Sequence, residues 1–321
     1  MTDEPRVGPG AVALVAAGVS SLAALCYPLA RVASEGFPPI GLASSRLTIA
    51  ALLLAALALL GGRPWPARRE RRLLMLGAGP LLAAGYASMF LGAPRLNPGL
   101  ATVLENTQPL FAAALGWVAL REPVKARSGF ALLLGFVGVI VITGDAQAPD
   151  GLGDGVAFVL TAALCVALAN VVQRRVAEGV DPVTGAVVAL GSAGAILLVA
   201  AAVGDAPTAA DPGSARAIVA LLVLAIVGTG LSQVGWLWVL KHMPLSRAAV
   251  FSFLPSVLGL ILGAALYEDS FGPGSVFGAS LVGAAALLVA TPGRDGGAGE
   301  GQGRTGTPVA AQSKQRGGPH D

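Results

Sequence analysis

Apolar residues along this chain fall into ten long blocks, at roughly 11–30, 38–60, 73–91, 98–119, 127–144, 153–173, 183–203, 216–239, 246–266 and 273–291. A helix needs about 20 apolar residues to cross a hydrocarbon core, and each block is near that length. Inside the blocks the apolar positions do not alternate, and they do not leave one polar face. They are apolar nearly all round, as expected of a helix that meets lipid and protein but not water. Short breaks rich in Pro, Gly and charge separate them, such as Gly61-Gly62-Arg63-Pro64, Glu122-Pro123 and Met243-Pro244. After Thr291 the pattern stops. The stretch 292–321 is polar and Gly-rich. It has too little apolar surface to offset the entropy of ordering it, so it is expected to be disordered.

The polar breaks then set an orientation. Taken alternately, one set holds 17 Lys and Arg, among them Arg63, Arg68, Arg69, Arg71, Arg72, Arg121, Lys125, Arg127, Arg174 and Arg175. The other set holds only Arg31, Arg95 and Arg216, and Arg46 lies inside a block. Basic residues stay on the cytoplasmic side. Both termini are therefore expected in the cytoplasm, and the segment around 145–152 (Asp145, Asp150) is expected outside. The first residues carry Asp3, Glu4 and only Arg6, a poor signal-peptide start, so the first block reads as a retained helix.

The blocks also repeat. At an offset of 146, Pro98, Pro109, Ala119, Leu120 and Glu122 meet Pro244, Pro255, Ala265, Leu266 and Glu268 without a gap. Ala24-Leu25-Cys26 and Ala163-Leu164-Cys165 match, as do Glu35-Gly36 and Glu178-Gly179 with a small shift. Five spans per repeat is an odd number, so the halves must be inverted. Inverted repeats build many secondary transporters, with the solute site near the midplane between halves. The reading is an all-α membrane protein of ten transmembrane helices in two inverted five-helix repeats. It divides into an N-terminal segment 1–10, a first repeat 11–144, a second repeat 153–291 and a tail 292–321.

A mid-helix Pro, a closing Glu and a following Gly-bearing helix recur as Pro109, Glu122, Gly129, Gly135 and Gly138, then as Pro255, Glu268, Gly278 and Gly283. This pattern resembles the EamA repeat of the drug/metabolite transporter superfamily, over about residues 11–291. The resemblance implies ten spans, cytoplasmic termini and a role in exporting amino acids, metabolites or drugs; the expected location is the inner membrane. Arg46, early in the second span, fits an Arg frequent in that family. Glu105 lies outside the family's general pattern and marks a subfamily.

Charges inside a membrane are costly and point to function or to a partner. Arg46 and Glu105 lie eight and seven residues into their spans, by expectation from the outer side. At 1.5 Å per residue both lie about 10–12 Å deep. Their repeat counterparts are Ala189 and Phe251, so the two charges are absent together. A recognition or gating pair and a purely structural ion pair both fit. Pro109 removes the hydrogen bond to the Glu105 carbonyl, and Pro255 does the same to Phe251, so a kink is expected at each. Tyr86, Gln108 and Thr107 fall in the outer half or middle. Asn170, Gln173, Gln233 and Ser252 fall toward the inner side. They are candidates for the solute pathway or for interhelical hydrogen bonds. Trp117, Trp236 and Trp238 suit an interfacial aromatic belt, and Trp236 also suits stacking on a flat solute. Glu122 and Glu268 read as turn or cap residues.

Composition agrees with the pattern: 55% of the residues are hydrophobic and 12% charged, against about 25% charged in soluble domains. A net charge of +3 without a basic stripe gives no nucleic-acid signature. Cys26 and Cys165 lie in apolar blocks and form no disulfide or metal spacing. His242 and His320 have no metal-binding or catalytic company, and no phosphate-binding loop appears. No catalytic residue, metal or cofactor is expected. The expected partners are a small-molecule solute and the bilayer, with a homodimer left open. The expected function is a secondary transporter, an exporter of a small amphipathic metabolite. A lipid-carrier flippase and a membrane-embedded enzyme or scaffold are the alternatives.

Overall fold

The computed structural model of the protein describes residues 8–24, 26–96, 98–143, 153–203, 214–258 and 273–290. The tail 292–321, the segment 145–152 and Glu268 lie outside the described residues. The described residues form helices and no strands. The first span is Pro9–Ala24 followed by Cys26–Ala33, and the second is Pro39–Leu60. The third runs through Arg68–Leu73, a π-helical turn at Leu74–Ala78, and Gly79–Gly92. The fourth is Pro98–Glu105 and Gln108–Leu120, the fifth Ala126–Thr143, the sixth Gly153–Val176 and the seventh Pro182–Val203. The eighth combines Ala215–Val223, a π-helical Leu224–Leu231, and Ser232–His242. The ninth is described over Leu245–Leu258 and the tenth is Pro273–Ala290.

Helix starts follow local chemistry. Pro39, Pro98, Pro182 and Pro273 each open a helix, where the missing N–H costs nothing and the fixed φ suits the first turn. Asp181 caps the seventh span by accepting from Val183 N–H at 3.0 Å and Thr184 N–H at 3.1 Å. The outward faces are apolar: Leu60, Leu76, Trp117 and Val118 are all exposed. Exposed large apolar groups in such number are suited to lipid contact.

The inversion is visible in how repeat-related spans meet. In the second and seventh spans, Gly194 lies against Thr48 and Gly191 against Ala51. In the fifth and tenth, Gly138 lies against Gly278 and Gly274 against Val141. In the fourth and ninth, Asn106 bonds Ser256 and Gly116 lies against Leu245. In every pair one residue number falls as the other rises, so each span runs antiparallel to its own repeat counterpart. The third span packs on the sixth and, as the pseudo-two-fold requires, the eighth packs on the first. The contact points are small residues. Hydrocarbon gives no drive for helices to associate, so close van der Waals contact must supply it.

Candidate functional site

The fourth and ninth spans are broken at the same repeat position. Glu105 ends one helix, Gln108 starts the next, and Asn106-Thr107 form a turn between them. Phe251 ends the first helix of the ninth span, and Ser252-Phe253 form the matching turn. The backbone bonds match as well: Thr107 N–H donates to Leu104 O at 3.1 Å, and Phe253 N–H to Val250 O at 3.3 Å. The cause lies two residues further along. Pro109 and Pro255 cannot donate to the carbonyls of Glu105 and Phe251, so the regular ladder lapses there. The Thr107 hydroxyl donates to Leu104 O at 2.6 Å and satisfies a carbonyl at the break. Asn106 Nδ2 donates to Thr102 O at 2.8 Å and to Ser256 Oγ at 3.0 Å, which ties one break to the other.

Irregular backbone at membrane depth survives where it is buried in protein or lines a cavity. Here both breaks line one cavity of about 470 Å³, within the usual range for small-molecule sites. Its wall draws on the first, second, third, fourth, sixth, eighth and ninth spans, hence on both halves. It extends from Ala30 and Ala93, at the ends of the first and third spans, to Asn170 and Trp236. The π-helical part of the eighth span contributes Gly228, Thr229 and then Ser232. The wide π turn leaves carbonyls poorly paired, and hydroxyls take them up. Thr229 Oγ1 donates to Leu224 O at 3.0 Å and Ser232 Oγ to Val227 O at 3.1 Å.

The structure gathers Arg46, Tyr86, Glu105, Gln108, Asn170, Gln233, Trp236 and Ser252 around this cavity, with Pro109 and Pro255. Arg46 is only 9% exposed. Its guanidinium carbon stands 4.6 Å from the centre of the Tyr86 ring. Such a cation–π contact is worth about 2 kcal/mol when desolvated. Arg46 Nε is buried with no hydrogen-bond partner. The repeat counterparts of the two charges, Ala189 and Phe251, are buried apolar side chains. Among the described residues, the pseudo-symmetric cavity thus carries its charges in one half only.

Two amide contacts floor the cavity. Trp236 Nε1 donates to Asn170 Oδ1 at 3.0 Å. Gln233 Nε2 donates to Gln173 Oε1 at 3.0 Å. Gln173 itself is fully buried and does not line the cavity, because it faces the eighth span across this second contact. Trp117 points away from the bundle, and the Trp238 ring lies 4.1 Å from the His242 ring. Trp236 therefore parts company with the other two tryptophans.

Sequence reading did not single out Asn106, Ser256 or the Cys26 thiol, all of which line the cavity. Cys26 Sγ donates to Gly228 O at 3.3 Å. A usable signal existed for Asn106: the offset of 146 that pairs Pro109 with Pro255 also pairs Asn106 with Ser252. The repeat match of Cys26 with Cys165 did not point to the cavity, because the contact of Cys26 with the eighth span is purely tertiary. Among the described residues no group of three or more His, Cys, Asp or Glu could hold a metal ion.

Comparison with known proteins agrees with this architecture. The profile of the EamA-like transporter family matches residues 10–144 and again 154–291. A WAT1-related chloroplast protein of Arabidopsis thaliana is 28% identical over 264 residues, 78% of this chain. The chain spans 61% of that relative's length. The uncharacterized inner membrane transporter YedA of Escherichia coli is 25% identical over 243 residues, 75% of this chain and 78% of that one. A solved crystal structure superposes with a TM-score of 0.72 at 18% identity, over 87% of this chain and 95% of that one, which shows a shared fold. Two profile matches, one on each inverted half that builds the cavity, show that the chain belongs to the EamA-like transporter family.

Proposed function

We propose that the cavity is the solute site of a secondary transporter, which exports a small amphipathic metabolite across the inner membrane by alternating access. The observation that carries this reading is the shared cavity at two matched helix breaks, one in each inverted half. Two similar halves, inverted, give two related conformations, each open to one side. The wall chemistry suits a zwitterion such as an amino acid. Arg46 offers a cation to a carboxylate, Glu105 offers a carboxylate to an ammonium, and Tyr86 and Trp236 offer aromatic faces to an apolar body. Glu105 can also take up a proton and so couple transport to a proton gradient. The excess of basic residues in alternate breaks supports cytoplasmic termini.

The test is flux in proteoliposomes. Vesicles holding purified protein are loaded with labelled amino acids and related amphipathic solutes, and counterflow is measured against empty vesicles. Saturable counterflow of at least one zwitterionic solute is expected. Absence of flux across a broad panel, with scrambling of a labelled lipid instead, would replace the reading by a flippase.

A further inference from the structure

Beyond the cavity floor, the ends of three spans are tied at one carboxylate. Glu122 follows the fourth span. Arg121 takes a left-handed conformation at φ 57°, and Glu122 N–H bonds back to Gly116 O at 3.2 Å. This closing turn aims the Glu122 side chain across the bundle. Its Oε1 accepts from Arg174 Nε of the sixth span at 2.8 Å. Its Oε2 accepts from Leu245 N–H, the first residue of the ninth span, at 2.8 Å. Arg174 also reaches Glu178 at 3.4 Å. The two partners of the central pair are 17% and 16% exposed, so solvent screens them only in part.

The three spans differ in continuity. The sixth is one unbroken helix, Gly153–Val176. The fourth and ninth are each broken near mid-span, leaving Gln108–Leu120 and Leu245–Phe251 on the same side of their breaks. The turn at each break is where such a segment would pivot. Glu122 fixes both to the rigid sixth span, on the side of the cavity opposite Ala30 and Ala93.

We infer that Glu122 is a positioning residue for transport: its contacts with Arg174 and the start of the ninth span hold the cytoplasmic end of the cavity shut and must part for the cavity to open there. This rests on the alternating-access reading above. Removing the contacts should therefore shift the population toward the cytoplasm-open state, as any loss of contacts peculiar to one state does.

The cavity carries its own reporter. Cys26 lines it, and Cys165→Ser leaves Cys26 as the sole thiol. Its reaction with a membrane-impermeant methanethiosulfonate is measured in right-side-out and inside-out vesicles, for the C165S parent and for E122Q and R174Q on that background. E122Q keeps an oxygen for Leu245 N–H and loses only the charge facing Arg174. The ratio of outside to inside labelling should fall about fivefold or more in both variants, the scale of a modest coupling energy. Met89→Cys in a cysteine-free chain gives a second reporter on the same wall. A ratio unchanged at both reporters overturns the inference, including the case where the thermal midpoint drops, because a mere staple would lower stability without moving access. A parent ratio favouring the inside also overturns it, because the cytoplasmic end would then not be the one held shut. Neither readout depends on knowing the solute, so failure here is distinct from failure of the flux test.

Discussion

Replacing Gly138 by Ala tests the close approach of the fifth and tenth spans, which joins the two halves. A Cβ at Gly138 would lie 2.8 Å from Gly278 O, 2.8 Å from Val282 Cγ2 and 3.1 Å from Leu281 Cβ. One of these is a backbone atom of the partner helix, so no rotamer change relieves it, and the helices must separate by about 0.7 Å to reach the usual ~3.5 Å contact. Gly283, on the tenth span, has nothing within 4 Å of the same added atom. Ala gains about 1 kcal/mol of helix propensity over Gly at either site, so the difference between the two variants isolates the contact. Overpacking of this kind costs about 1–3 kcal/mol. Thermal unfolding of the purified protein in one detergent should therefore place G138A below G283A by several degrees. Equal midpoints would refute the claim that small residues set this interface.

The remaining predictions concern the cavity. Arg46→Lys keeps the charge but loses the planar group over Tyr86 and the forked donor set; solute binding measured by calorimetry should weaken about tenfold or more, since hydrogen bonds to charged groups are worth about 1.5–3 kcal/mol. Glu105→Gln should flatten the pH dependence of counterflow between about pH 5 and 8, and wild-type pH behaviour would count against a proton-carrying role. Asn106→Ala and Ser256→Ala should not be additive in unfolding midpoint, because each removes the same contact between the two breaks; the coupling should be about 0.6 kcal/mol, as for other hydrogen bonds between membrane helices.

Much of the protein is legible in the order of its residues. Ten apolar blocks fix ten helices, because a bilayer offers unpaired backbone groups no water. An odd number of spans per repeat fixes the inversion, and Pro109 and Pro255 mark where the backbone ladder lapses. Counting residues along helices of constant rise puts Arg46 and Glu105 at matched positions in their spans, and both line the cavity. These properties are local or one-dimensional, so a linear reading reaches them.

Which polar groups face one another is a different matter. Gln173 and Asn170 sit three residues apart on the sixth span, yet one is sealed against Gln233 and the other lines the cavity. Trp236 and Trp238 share a helix end, but only the first lines the cavity. Glu122 reads as a turn residue in sequence, and it becomes a junction only because the sixth span ends and the ninth begins beside it. Rotation of each helix about its axis decides these outcomes. In lipid that rotation is set by small-residue contacts between distant spans, such as Gly194 on Thr48 and Gly138 on Gly278. An apolar block with no polar face carries no mark of its own rotation, so that choice belongs to the assembled bundle.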